Sequence, residues 1–166
     1  MVKKIVTKEK ALERLEALCN RSEQCEFDLE RKLITWKIPS LERKEILESL
    51  SQHRLLDDLR FAKAYANDKA RFSFWGPQKI RAELIKHKIK SSIIKEALQN
   101  VASNVWKEGL LRCAESKSRN LDLKGEGAWE NGQKLYRFLI GRGVPSDVSS
   151  KAVSLMKKRQ EEVEND

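Results

Sequence analysis

The stretch Gly76-Pro-Gln-Lys-Ile-Arg-Ala-Glu-Leu-Ile-Lys-His-Lys-Ile-Lys90 decides how this chain is read. Pro77 suits the first position of a helix, where it forfeits no needed hydrogen bond and already has the right φ. Ile80 and Leu84 then fall on one face, and Lys79, Arg81, Lys86, Lys88 and Lys90 crowd the rest. Such a helix can read DNA, carry chemistry, or form one wall of a bundle with a basic outside. The pattern recurs in the chain. A shift of 55 residues carries Ile80, Leu84, Ile89, Ser91, Ala97 and Val101 onto Leu135, Leu139, Val144, Ser146, Ala152 and Met156. A shift of 51 the other way carries them onto Leu29, Leu33, Ile38, Ser40, Ile46 and Leu50. Apolar spacing alone would not align the serines, so one supersecondary unit is repeated three times.

Each repeat reads as three helices. In the first, Ala11, Leu12, Leu15 and Leu18 form a helical stripe that stops near Asn20. Ser22 is expected to cap a second helix with Phe27, Leu29 and Leu33, and Pro39-Ser40 opens a third. In the second repeat Asp57 is the expected N-cap, with Leu56 and Phe61 placed to pack as a hydrophobic staple. The last repeat has Trp106, Leu110, Leu111 and Ala114 on its first helix. A looser connection follows over Leu121–Gly127, and a charged tail runs from Lys157 to Asp166. Ser40, Ser91 and Ser146 are expected caps, each contributing roughly 1 kcal/mol. The expected fold is all-α, with repeats at 1–53, 54–103 and 104–166. A unit this small buries little alone and gains by docking on its neighbours.

Charge is uneven. The chain is +9 overall, but residues 1–52 hold +1, residues 53–102 hold +6 and residues 103–166 hold +2. A basic centre suits phosphates or an acidic protein, because cations gain by releasing counterions from nucleic acid. The alternative is a well-solvated helical face. Lys79–Glu83 and Glu83–Lys86 are spaced to pair within their helix. That leaves Lys69, Arg71, Arg81, Lys88 and Lys90 as the candidate binding cations. Phe74 and Trp75 have the chemistry to stack on a base, although core packing is the more usual employment of such rings.

No catalytic constellation is visible. Adjacent Asp57 and Asp58 at a helix start suit the macrodipole rather than acid–base work. His53 and His87 stand alone in sequence, and there is no nucleotide-binding loop or His-Glu-x-x-His pair. The three cysteines, Cys19, Cys25 and Cys113, have no Cys-x-x-Cys spacing and read as free thiols in a reducing compartment, with no metal site and no cofactor expected. No apolar run follows the cations at the start of the chain, and none approaches the ~20 residues of a membrane span.

Leu55-Leu56-Asp57-Asp58-Leu59-Arg60-Phe61-Ala62, followed by Gly76-Pro77-x-x-Ile80-Arg81-x-Glu83-Leu84-x-x-x-Lys88-Ile89, resembles the signature of the RecX family of bacterial recombination regulators. Arg21-Ser22 with Leu29 in the first repeat and Arg137-Phe138-Leu139-x-x-Arg142-Gly143-Val144 in the third extend the likeness along the chain. One departure stands out: the family's Lys-Gly-Ile at the end of the central helix is His87-Lys88-Ile89 here. A lysine there must either take a left-handed backbone or end the helix differently. The resemblance implies an elongated, curved array of three-helix repeats and a monomeric, cytoplasmic protein acting in DNA repair and the SOS response. It further implies binding in the groove of the RecA filament, with suppression of RecA's ATPase, strand-exchange and co-protease activities and only weak, non-specific contact with single-stranded DNA. Asp57, Asp58, Arg60, Phe61, Gly76, Ile80, Glu83 and Leu84 are its signature positions. The alternative is a helix-turn-helix-type protein acting directly on DNA. Against it, the helix from Pro77 lacks the Asn, Gln and Ser cluster expected of base readout, and the basic excess is confined to one repeat.

Overall fold

The computed structural model describes residues 6–162. Among these the chain forms nine α-helices and no strand. They are α1 (Lys8–Arg21), α2 (Glu26–Thr35), α3 (Ser40–Gln52), α4 (Asp58–Phe72), α5 (Pro77–Lys86), α6 (Ser91–Asn100), α7 (Ser103–Ser118), α8 (Ala128–Gly141) and α9 (Ser146–Glu162). Three helices fall in each repeat. All fifteen apolar positions aligned by the two shifts are buried. The three aligned serines are exposed. Of the expected charged tail, α9 takes the part up to Glu162, and residues 163–166 lie outside the described residues.

The second helix of every repeat ends in the same way. Lys37, Lys88 and Gly143 adopt left-handed backbone conformations, with φ of 61°, 58° and 82°. The next amide in each case reaches back five residues, Ile38 to Leu33, Ile89 to Leu84 and Val144 to Leu139, at 3.0, 3.1 and 3.2 Å. The left-handed residue itself donates three residues back, to Ile34, Ile85 and Ile140. This is the Schellman ending, in which two otherwise orphaned carbonyls are satisfied and an apolar residue is folded back onto the helix. The His87-Lys88-Ile89 departure is thereby resolved: the lysine takes the glycine conformation. That conformation costs an L-residue about 1–2 kcal/mol. Lys88→Gly is therefore expected to stabilise the protein by roughly 0.5–1 kcal/mol once the added freedom of the unfolded chain is subtracted. An unchanged or lowered denaturant midpoint would contradict that assignment of strain.

The expected caps at Ser22 and at the three repeated serines are corrected. Ser22 does not cap α2, which begins four residues later with Cys25 as its N-cap and no capping bond from that side chain. The repeated serines also sit one residue inside their helices. Pro39, Lys90 and Pro145 supply the carbonyls that accept the first helical bonds, from Arg43, Ile94 and Ser149. The N-cap of α3 is thus Pro39, which makes no side-chain capping bond. On α7, Val105, Gly109, Cys113 and Ala114 are buried, whereas Trp106, Leu110 and Leu111 are half-buried, with Leu110 and Leu111 packed against the core.

The chain divides into two compact units, Met1–Ala64 with Leu84–Ala97, and Tyr65–Glu83 with Leu98–Asp166. The boundaries 1–53, 54–103 and 104–166 are those expected from the sequence pattern; the two units are divided differently, and α4, α5 and α6 each run from one into the other. The first unit holds a core of Ala11, Leu15, Leu29, Leu33, Ile38, Ile46, Leu50 and Leu56. The second is centred on Cys113, Ala114, Leu123, Leu135, Leu139, Val144, Ala152 and Met156, with Phe74 packed against it.

A backbone stitch inside the second unit fixes the turn before α5. The Gly76 amide donates to Arg142 O at 2.7 Å and the Gln78 amide to Gly143 O at 3.1 Å. Arg142 Nη1 donates in return to Ser73 O at 2.9 Å. A Cβ on Gly76 would lie 2.3 Å from Gly143 O, and one on Gly143 would lie 2.3 Å from the Lys79 amide nitrogen. The α4–α5 turn and the α8–α9 turn therefore meet backbone to backbone, and only glycine permits that approach.

Candidate partner-binding surface

The signature residues prove to be builders of the fold. Asp57 Oδ1 accepts the amides of Leu59 and Arg60 at 2.8 and 3.0 Å, the N-cap expected for α4. Asp58 turns elsewhere: its Oδ1 accepts the Glu26 amide at 2.9 Å and so serves the start of α2, whose own N-cap residue offers no side-chain acceptor. The Asp57-Asp58 pair thus caps two different helices. Arg60 Nε meets Glu23 Oε1 at 2.7 Å, and this contact holds the guanidinium pKa above its usual value. Phe61 is buried with its ring edge-on to His87 at 5.5 Å. Ile80 and Leu84 have no exposed surface.

The candidate cations divide between the two units. Lys69, Arg71 and Arg81 belong to the second, Lys88 and Lys90 to the first. Arg71, Arg81, Lys88 and Lys90 are exposed. Lys69 is already engaged: its ammonium lies 5.4 Å from the Tyr65 ring centre and 5.1 Å from that of Trp75. Lys79, expected to pair within its helix, places its ammonium 4.4 Å over the same Trp75 ring. Phe74, left-handed at φ 52°, follows α4, and the next residue, Trp75, takes both ammonium groups against its ring. Trp75 is half-buried and, with Phe74, lines a cavity of about 200 Å³ in the second unit, beside Pro77, Trp106, Leu110 and Val148.

Sequence reasoning missed two features. Phe72 is 77% exposed at the end of α4, next to Arg71, where both border a cleft that Arg112 also lines. Its only sequence signal is an aromatic residue off the Ala62–Ala66–Ala70 buried stripe. The other is a cluster. His87, solitary in sequence, places Nδ1 2.8 Å from Asp28 Oδ2 and 3.9 Å from Cys25 Sγ. Cys25-x-x-Asp28 at a helix start was the available hint. All three thiols are free, and burial raises the pKa of each, with Cys25 pushed up to about 12. A thiol so protonated is a poor nucleophile.

Residues 57–98 match the family described as RecX, second three-helix domain. Over 110 residues the chain is 29% identical to the regulatory protein RecX of Clostridium perfringens (strain 13 / Type A), covering 66% of this chain and 51% of that protein. Over 122 residues it is 32% identical to the regulatory protein RecX of Halalkalibacterium halodurans, covering 73% of this chain and 45% of that one. The matched region thus spans about half the length of these curated relatives. The fold is that of the crystal structure of RecX from Lactobacillus salivarius, with a TM-score of 0.76 at 19% identity over 90% of this chain and 96% of that one. No described helix is long and apolar enough to cross a membrane.

Proposed function

Because the chain belongs to the RecX family, we propose that it is a negative regulator of the RecA recombinase. It binds the RecA–DNA filament and holds down RecA's ATPase, strand-exchange and co-protease activities. The observation that carries this reading is the three-helix unit over residues 57–98, matched to the family's second domain and repeated on either side with the same helix ending. A chain of similar units can touch successive copies of a repeating partner, and linked weak contacts reinforce one another through effective concentration. The exposed Arg71, Arg81, Lys88 and Lys90 supply charge suited to acidic protein or DNA phosphate in the filament groove. The protein acts by binding, as a cytoplasmic monomer, and touches single-stranded DNA only weakly and without sequence preference.

The test is ATP hydrolysis by RecA on single-stranded DNA. Substoichiometric amounts of the protein are expected to slow it, whereas a simple competitor for DNA would need to coat the strand. A RecA-free gel-retardation series belongs beside it. Tight, sequence-selective retardation persisting at high salt, with RecA turnover unchanged, would replace this reading with direct action on DNA.

A further inference from the structure

The three groups gathered at the start of α2 form a set that the binding role does not employ. Cys25 Sγ, Asp28 Oδ2 and His87 Nδ1 offer one ligand atom each, and these atoms lie within 4.8 Å of one another. The contacts to Asp28 and Cys25 converge on the same imidazole nitrogen, at 2.8 Å from the carboxylate and 3.9 Å from the sulfur. A nucleophilic triad needs the opposite arrangement, with the base on one ring nitrogen and its orienting acid on the other. The same three atoms can instead face one shared electrophile. Around an ion bound at about 2.0–2.3 Å from nitrogen, oxygen and sulfur, tetrahedral donors stand about 3.3–3.8 Å apart. The observed separations bracket that range and reach it by small side-chain rotations.

We propose that Cys25, Asp28 and His87 bind a divalent transition-metal ion of the zinc class, with solvent completing a tetrahedral shell. One thiolate, one imidazole and one carboxylate make a borderline-soft donor set, which suits zinc or cobalt and disfavours magnesium or calcium. Cys25 is buried, but the side chains of His87 and Asp28 are 26% and 30% exposed, so an ion reaches the donors from their side. Binding transfers the thiol proton to solvent as the sulfur–metal bond forms, with no change of oxidation state. Cys25 and Asp28 lie in the Met1–Ala64 segment of the first unit and His87 in its Leu84–Ala97 segment. The ion therefore cross-links the two chain segments from which that unit is built.

The experiment is a cobalt(II) titration of the full chain under reducing, oxygen-free conditions, followed by competition with zinc. The expected result is a near-ultraviolet thiolate-to-cobalt band together with the visible bands of tetrahedral coordination, saturating at one ion per chain and bleached by zinc. Cys25→Ser should abolish the thiolate band while keeping the fold, since serine is a preferred N-cap residue. Asp28→Asn and His87→Gln should each weaken cobalt binding by at least the roughly tenfold that loss of even an outer-shell partner costs. Far-ultraviolet circular dichroism checks that every variant is folded, and if Cys25→Ser is not, the other two variants decide. The proposal is overturned if no thiolate band forms, if the band survives Cys25→Ser, if it vanishes instead with Cys19→Ser, or if Asp28→Asn and His87→Gln leave the affinity unchanged.

Discussion

Gly76→Ala is expected to lower the stability of the protein by about 3 kcal/mol or more, read as a shift of the urea midpoint. The added methyl carbon would sit 2.3 Å from Gly143 O, 2.4 Å from Gly143 C and 2.6 Å from the Val144 amide nitrogen. All three are backbone atoms, so no flexible side chain can swing aside. Relief requires separating the two turns, at the expense of the Gly76–Arg142 and Gln78–Gly143 hydrogen bonds, each contributing about 1 kcal/mol. Gly141→Ala is the control. It lies at the end of α8, nothing is within 4 Å of its added Cβ, and the change should be neutral or stabilising by up to about 1 kcal/mol. Equal midpoints for Gly76→Ala and the unmodified protein would show that the stitched turns do not hold the second unit together.

Reversing Arg81 and Lys88 to Glu, singly and together, is expected to weaken inhibition of RecA ATPase. The double change should raise the half-inhibitory concentration roughly tenfold to a hundredfold, because like charges then meet where attraction was needed. Both residues are exposed and flank the buried Ile80 and Leu84, so stability should change little. Lys79 is a poor control, since its ammonium rests on Trp75. A better control makes the same change of net charge through Lys44→Glu with Lys158→Glu, whose present partners are exposed residues one turn along, Glu48 and Glu162. If the control weakens inhibition as much as the Arg81 and Lys88 changes, overall charge rather than these positions carries the binding. If neither matters and the fold is intact, the contact lies on the outer repeats.

Sequence alone determined what is local or periodic. Ile80 and Leu84 with their counterparts at Leu29, Leu33, Leu135 and Leu139 announced a buried helical stripe, because an amphipathic helix returns a face every three to four residues. Asp57 was legible as a cap because a carboxylate just ahead of an apolar-periodic run has few better employments. The left-handed ending at Lys88 was legible as a choice between two conformations, and Gly143 in the aligned position pointed to the one adopted. What joins residues far apart in sequence was decided only by tertiary structure. Asp58 serves α2 across 32 residues, because the orphaned Glu26 amide has no acceptor on Cys25 and takes one from the next repeat. Gly76 and Gly143, both in the resemblance, carried no sign that they meet each other, since backbone-to-backbone approach leaves no trace in side-chain pattern. Lys69 and Lys79 were assigned by looking for acidic neighbours, whereas the folded chain offered them the face of Trp75. His87 read as solitary for the same reason: Cys25 and Asp28 stand some sixty residues earlier, and only the packing of the first unit brings those donors to one point.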